Sequence, residues 1–197
     1  PEMDEAIKKL SARAPLGTTD MDAALRAAVA GFGGETKPRA VVYVGDGMSP
    51  ANLLGTEKFQ SLCKMLVDAR VAVSSLAVGP RLDLEVLGAL AARTGGLLMV
   101  QDEATAPDAA GGAMAAAARG VVYWPIEAAL PKDRLTAVFP EALPPLRADR
   151  DSVVIGTLQG EEPIEIKATA ATTAGAKELV WSVAPGAADP QNKYLAT

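Results

Sequence analysis

Ala40-Val41-Val42-Tyr43-Val44 is a nearly uninterrupted β-branched and aliphatic run that ends in Gly45-Asp46-Gly47. A run of this kind marks a parallel strand buried on both faces, which restricts the chain to α/β folds whose helices cover the sheet. In open sheets of that class ligands sit outside the carboxyl ends of the strands, so Asp46 stands where a ligand-binding carboxylate belongs. Gly17-Thr18-Thr19-Asp20-Met21 opens an amphipathic helix just upstream and brings Thr19 to the same rim. The two loops read as one oxygen-rich site. In the intact protein the strand is expected to be central, not an edge, with a further strand beside it, and Val42→Lys is then expected to be strongly destabilising, because a charge enters a two-sided core.

Helix and strand patterns alternate through residue 101, the signature of a parallel sheet. Met21, Leu25, Ala28, Val29 and Phe32 form the apolar face of a helix capped by Thr19 or Asp20, with Asp22 favourably placed in its first turn. Glu57 to Arg70 turns Phe59, Leu62, Cys63 and Leu66 inward, and Val71 to Val78 is the next strand. Asp83 caps a helix bearing Val86, Leu87, Leu90 and Ala91, Gly95-Gly96 stop it, and Leu97 to Val100 is a short strand. Asp102 to Gly112 leads into the helix-favouring Ala113 to Arg119, where the domain boundary is placed. Met3, Ile7 and Leu10 have helical spacing with no strand before them. We read this as a domain entered partway, whose first strand comes from an upstream segment or a separate chain.

The texture changes at Gly120. Val121 to Trp124, Leu135 to Phe139, Ser152 to Leu158, Pro163 to Thr169 and Leu179 to Val183 are short strand-like runs divided by Pro, Gly and charged turns. Ile164 to Thr169 alternates apolar and polar residues, as a half-exposed antiparallel strand does. The expected fold is thus a partial Rossmann-like α/β domain over residues 1–119, followed by an all-β, sandwich-like domain over 120–197. Trp124 and Trp181 are expected to anchor the second core. Lys132, Asp133, Arg147, Asp149, Arg150 and Asp151 read as mixed surface charge, and Ser49 as a turn hydroxyl.

Composition narrows the function. A net charge of −5 and a pI near 4.9 supply no basic stripe, which argues against nucleic acid as a partner. No apolar run approaches the roughly 18 residues of a membrane span. Cys63 is alone, so it forms no internal disulfide or thiolate zinc cluster and reads as core packing. With no histidine in the chain, Ser-His-Asp and Cys-His catalysis and His-ligated metal sites cannot be built. No carboxylate pair has a context that singles it out for acid/base work, and the expectation is a non-enzymatic protein.

The Gly17–Met21 loop and the Val41–Gly47 strand and turn resemble the von Willebrand factor A family, whose metal-ion-dependent adhesion site uses a threonine in a Gly-x-Thr loop and an aspartate in a strand-Asp-Gly turn. Thr19 and Asp46 match these. The resemblance continues through Ser75-Leu76-Ala77-Val78-Gly79, Asp83, Leu87, Leu90-Ala91 and Thr94-Gly95-Gly96. The family's leading motif, Asp-x-Ser-x-Ser, occurs nowhere in the chain, so three of the expected ligands are missing. Residues 120–197 are similar to the β-rich region after the A domain in inter-alpha-trypsin-inhibitor heavy chains and related bacterial proteins, through Tyr123-Trp124-Pro125, Phe139-Pro140 and Val153-Val154-Ile155-Gly156.

The resemblance implies a protein-binding or adhesion module in an extracytoplasmic setting. It implies a Mg²⁺ ion, or Mn²⁺ or Ca²⁺, whose shell is completed by a partner's acidic residue. With Thr19 and Asp46 as its only ligands, this chain alone is expected to hold the cation weakly or not at all. Two other readings stand beside it: a structural or assembly component with a vestigial metal site, and an A-domain adaptor of an AAA-type ATPase.

Overall fold

The computed structural model describes residues 2–14, 17–34, 37–102, 104–186 and 191. Its first half follows the expected alternation. The order is α1 (Glu2–Ser11), α2 (Met21–Ala30), β1 (Arg39–Gly45), α3 (Thr56–Asp68), β2 (Val71–Ala77), α4 (Leu84–Thr94), β3 (Leu98–Val100) and α5 (Pro107–Arg119). The three strands form a parallel sheet in the order β1-β2-β3.

Strand periodicity divides the sheet between two helical layers. Val71, Val73 and Ala77 of β2, with Val41 and Tyr43 of β1, face Met21 and Leu25 of α2, Leu62, Cys63 and Leu66 of α3, and Leu87 and Leu90 of α4. Each large aliphatic side chain removed from water here contributes about 1.5–3 kcal/mol. Cys63 is part of this core, and burial pushes its thiol up to about 11, as expected of a packing residue. Helix α5 packs against β2 and β1, burying Ala110, Met114 and Ala117. Beyond α4 the chain turns back so tightly that a Cβ on Gly96 would lie 1.8 Å from the Val73 carbonyl oxygen, which only glycine permits.

The strand expected to be central is, within this chain, an edge. Among the described residues nothing pairs with the far side of β1, and Val42 and Val44 are 40% and 61% exposed. Helix α5 covers β2 more than β1, and the described residues leave these valines exposed. The apolar face of α1 is likewise open, with Met3, Ile7 and Leu10 exposed.

From Gly120 onward the strands are antiparallel: β4 (Val122–Ala129), β5 (Leu135–Phe139), β6 (Leu146–Arg147), β7 (Ile155–Leu158), β8 (Ile164–Thr172) and β9 (Gly175–Val183). Four of them form a sheet in the order β6-β4-β8-β9, and β5 pairs with β7. Pro125 lies in β4 where the register with β8 shifts, a bulge that accommodates its missing N–H. Trp124 is partly buried, but Trp181, on the edge strand β9, is 40% exposed and does not anchor a core.

The largest departure from the expected surface charge is Arg147. Its side chain is fully buried. It makes a paired contact with Asp149, with both bonds at 2.6 Å, and donates to the carbonyls of Gly95 (3.1 Å) and Ala117 (3.2 Å). Arg150 donates to the Ala91 and Gly96 carbonyls. Two arginines of the β region therefore add charge-assisted bonds to carbonyls at the carboxyl ends of α4 and α5, where the Gly96 and Gly120 N–H groups already donate to Ala91 and Ala117.

Arg147→Ala should cost about 2–3 kcal/mol in urea denaturation, since it removes a buried guanidinium with its bonds to the Gly95 and Ala117 carbonyls and its paired contact with Asp149. The Arg147 guanidinium also holds the Asp149 carboxyl below its usual range. A depressed folded-state pKa stabilises above the ordinary aspartate value near 4 and is lost as pH falls through the lower folded value. Asp149→Asn should accordingly flatten the acid limb of stability against pH below about 4. Val42→Lys, by contrast, should cost no more than about 1 kcal/mol in this chain, because the lysine stem lies along the open face with its ammonium in water.

Candidate functional site

The rim at the carboxyl ends of β1 and β2 is built from three loops. Helix α2 begins where Asp20 accepts from the Ala23 N–H at 2.9 Å, leaving Thr19 exposed immediately before the cap. Strand β1 delivers Asp46, whose Oδ1 accepts from the Met48 N–H at 2.9 Å in an Asx turn. Gly47 completes that turn at φ +82°, a backbone region favouring glycine, packed so closely that a Cβ would lie 2.8 Å from Leu87 Cγ.

Hydrogen bonds join the loops. Ser49, 8% exposed, accepts from the Met21 N–H at 3.0 Å and donates to the Asn52 carbonyl at 2.8 Å. The Ala51 N–H donates to the Thr19 carbonyl, and Asn52 Nδ2 donates to Asp20 Oδ1. On the other side, the Asp46 carbonyl accepts from the Asp83 N–H at 2.8 Å and the Gly45 carbonyl from the Val78 N–H at 3.0 Å. The loop of Thr19 and the loop of Asp46 are thus fastened together. The fasteners themselves were not legible: Ser49 is the expected turn hydroxyl toward Asn52, but it is also a bridge between loops that reaches a partner 28 residues away.

Tyr43 also belongs to the rim. Its ring lies over Gly45, and its hydroxyl accepts from the Gly47 N–H at 3.2 Å. Burial raises the phenol above its ordinary value, so it stays a neutral hydrogen-bonding group. Asp20 and Asp83 act as helix caps, and Asp22 pairs with Arg26.

The residues present do not compose a complete cation site. Among the described residues no group of three or more His, Cys, Asp or Glu side chains is placed to hold a metal. Asp46 already commits one carboxylate oxygen to the Met48 N–H, and Thr19 adds a single hydroxyl. An octahedral Mg²⁺ shell needs more fixed oxygens than these two side chains supply.

A three-layer α/β domain that carries loops on the carboxyl ends of its strands defines the class. Residues 1–100, about half of the chain, match the family described as the von Willebrand factor type A domain. The chain belongs to that family, and its general class is that of a protein-interaction module. Comparison with curated proteins gave no match. Among solved structures the chain is similar to the human COPII-coat protein Sec24c, with 13% identity and a TM-score of 0.63 over 93% of this chain and 31% of that one. It is also similar to the ArnB paralog VWA2 from Sulfolobus acidocaldarius, with 12% identity and a TM-score of 0.47 over 92% of this chain and 50% of that one. The chain therefore spans about a third of the Sec24c chain and half of the VWA2 chain. The Sec24c likeness is one of fold, and it extends beyond residue 100 into the antiparallel region.

Ser49→Ala should destabilise by about 1–2 kcal/mol, because the buried Met21 N–H loses its acceptor. Thr19→Ala, at an exposed position, should change stability by less than about 0.5 kcal/mol. Paired denaturant titrations check both values.

Proposed function

We propose that this protein is a non-enzymatic interaction module whose partner docks on the rim formed by the Thr19, Asp46 and Val78–Asp83 loops. The observation that carries this reading is the hydrogen-bonded joining of those loops by Ser49, Ala51 and Asp83, which holds Thr19 and Asp46 at one end of the sheet before any partner arrives. Such pre-organisation lowers the ordering cost of binding.

Cation dependence is the finer part of the proposal. Thr19 and Asp46 supply two hard oxygen donors, suited to Mg²⁺ or Mn²⁺. A segment bearing the acidic-serine motif, lying along the open edge of β1, would bring further oxygens to the same rim. Mn²⁺ calorimetry on three proteins tests this. The chain alone should bind weakly or not at all, the chain joined to an Asp-x-Ser-x-Ser strand segment should bind, and Asp46→Ala in the joined protein should abolish binding. Equal affinity with and without Asp46 would reject the cation role.

The assembly reading is favoured by one observation of its own, the open apolar surface of α1 and β1. Association that survives EDTA and Asp46→Ala would support it over the cation-dependent reading.

A further inference from the structure

The opposite end of the sheet holds a cavity of about 330 Å³ between the α/β and antiparallel parts of the chain. Among the described residues Lys37, Arg39, Arg70 and Arg119 line it with one acid, Asp68, which is paired with Lys64 at 2.7 Å. This is a cationic recess on a protein of net charge −5.

Helices α3 and α5 end here, and basic residues at helix carboxyl termini ordinarily serve to satisfy the last carbonyls. That need is already met by others. Arg39 donates to the Ala69 carbonyl beyond α3 and to the Gly33 carbonyl, and the buried Arg147 donates to the Ala117 carbonyl of α5. Arg70 and Arg119 are surplus to it. Among the described residues neither guanidinium has a hydrogen bond or ion pair. Arg70 moreover sits at φ 52°, a left-handed conformation that glycine or asparagine adopts more readily. Trp124 and Thr172 complete the lining, adding an aromatic surface and a hydroxyl.

We propose that this cavity binds an acidic peptide segment, with Arg70 and Arg119 gripping side-chain carboxylates and Trp124 supporting the aliphatic stem beside them. Two unengaged guanidiniums present planar forks that match carboxylates two-to-two. The volume lies at the small end of ligand pockets, suited to one or two side chains of an extended segment. The site is distinct from the rim, which lies at the other ends of the same strands.

The test uses acetyl-hexaglutamate amide carrying fluorescein, titrated with the full chain at low salt and followed by anisotropy. Trp124 fluorescence in a Trp181→Phe background gives a second readout. Arg70→Gly removes one guanidinium while relieving the backbone, and Arg119→Gln removes the other at an exposed helix end, so the double variant should fold. The expected result is saturable binding that weakens as salt rises, quenches Trp124, falls at least tenfold in the double variant and is unchanged by Asp46→Ala. A double variant of native stability that binds as tightly as the parent would overturn the proposal. So would inorganic phosphate competing at the peptide's own affinity, which would mark a simple anion site, or loss of binding on Asp46→Ala alone, which would place the peptide at the rim.

Discussion

The α/β half of this protein depends on β2 being enclosed. Val71 to Val73 and Ala77 are buried, and so are the two serines between them. Each neighbour takes its position from this strand. The β1 register runs along its whole length, the Val73 N–H donates to Thr94 Oγ1 at the end of α4, and the Leu97 N–H donates to Ser74 Oγ as the chain enters β3. Backbone polar groups inside a sheet must be paired or they cost the desolvation of an orphan. Here side-chain hydroxyls take over where the strand ladder ends. Ser75 Oγ is the exception among the described residues, a buried hydroxyl without a partner.

That enclosed strand explains why the rim is orderly. Parallel strands of matched register end together, so the loops after β1 and β2 emerge side by side, and a few backbone bonds suffice to fasten them. The same geometry places the entrances of the strands, with the carboxyl ends of α3 and α5, around the basic recess. One sheet thus separates an oxygen-lined end from a guanidinium-lined end.

Much of the α/β half was legible because its signals are local. Asp20 and Asp83 cap the helices they were expected to cap, Gly95 ends α4, and Cys63 packs with Leu62 and Leu66. What escaped reading was set by partners distant in sequence. The valines of β1 were as apolar as a buried strand requires, but hydropathy does not say whether anything lies alongside. Arg147 carries a charge that normally belongs to the surface, and its burial follows from carbonyls 30 and 52 residues away. Strand β6, only Leu146–Arg147, is too short to have a pattern. Ser49 and Asn52 were ordinary turn residues until the helix they restrain was in place. The candidate site was therefore visible as two positions, Thr19 and Asp46, but not as the hydrogen-bonded frame that carries them.

The grip of Arg147 and Arg150 on the ends of α4 and α5 has a mechanical consequence. A pull on the antiparallel strands is not absorbed by a slack tether, because charge-assisted bonds from two neighbouring arginines pass it directly into the helices that brace β2. The antiparallel strands and these two helix ends are therefore expected to move as one unit.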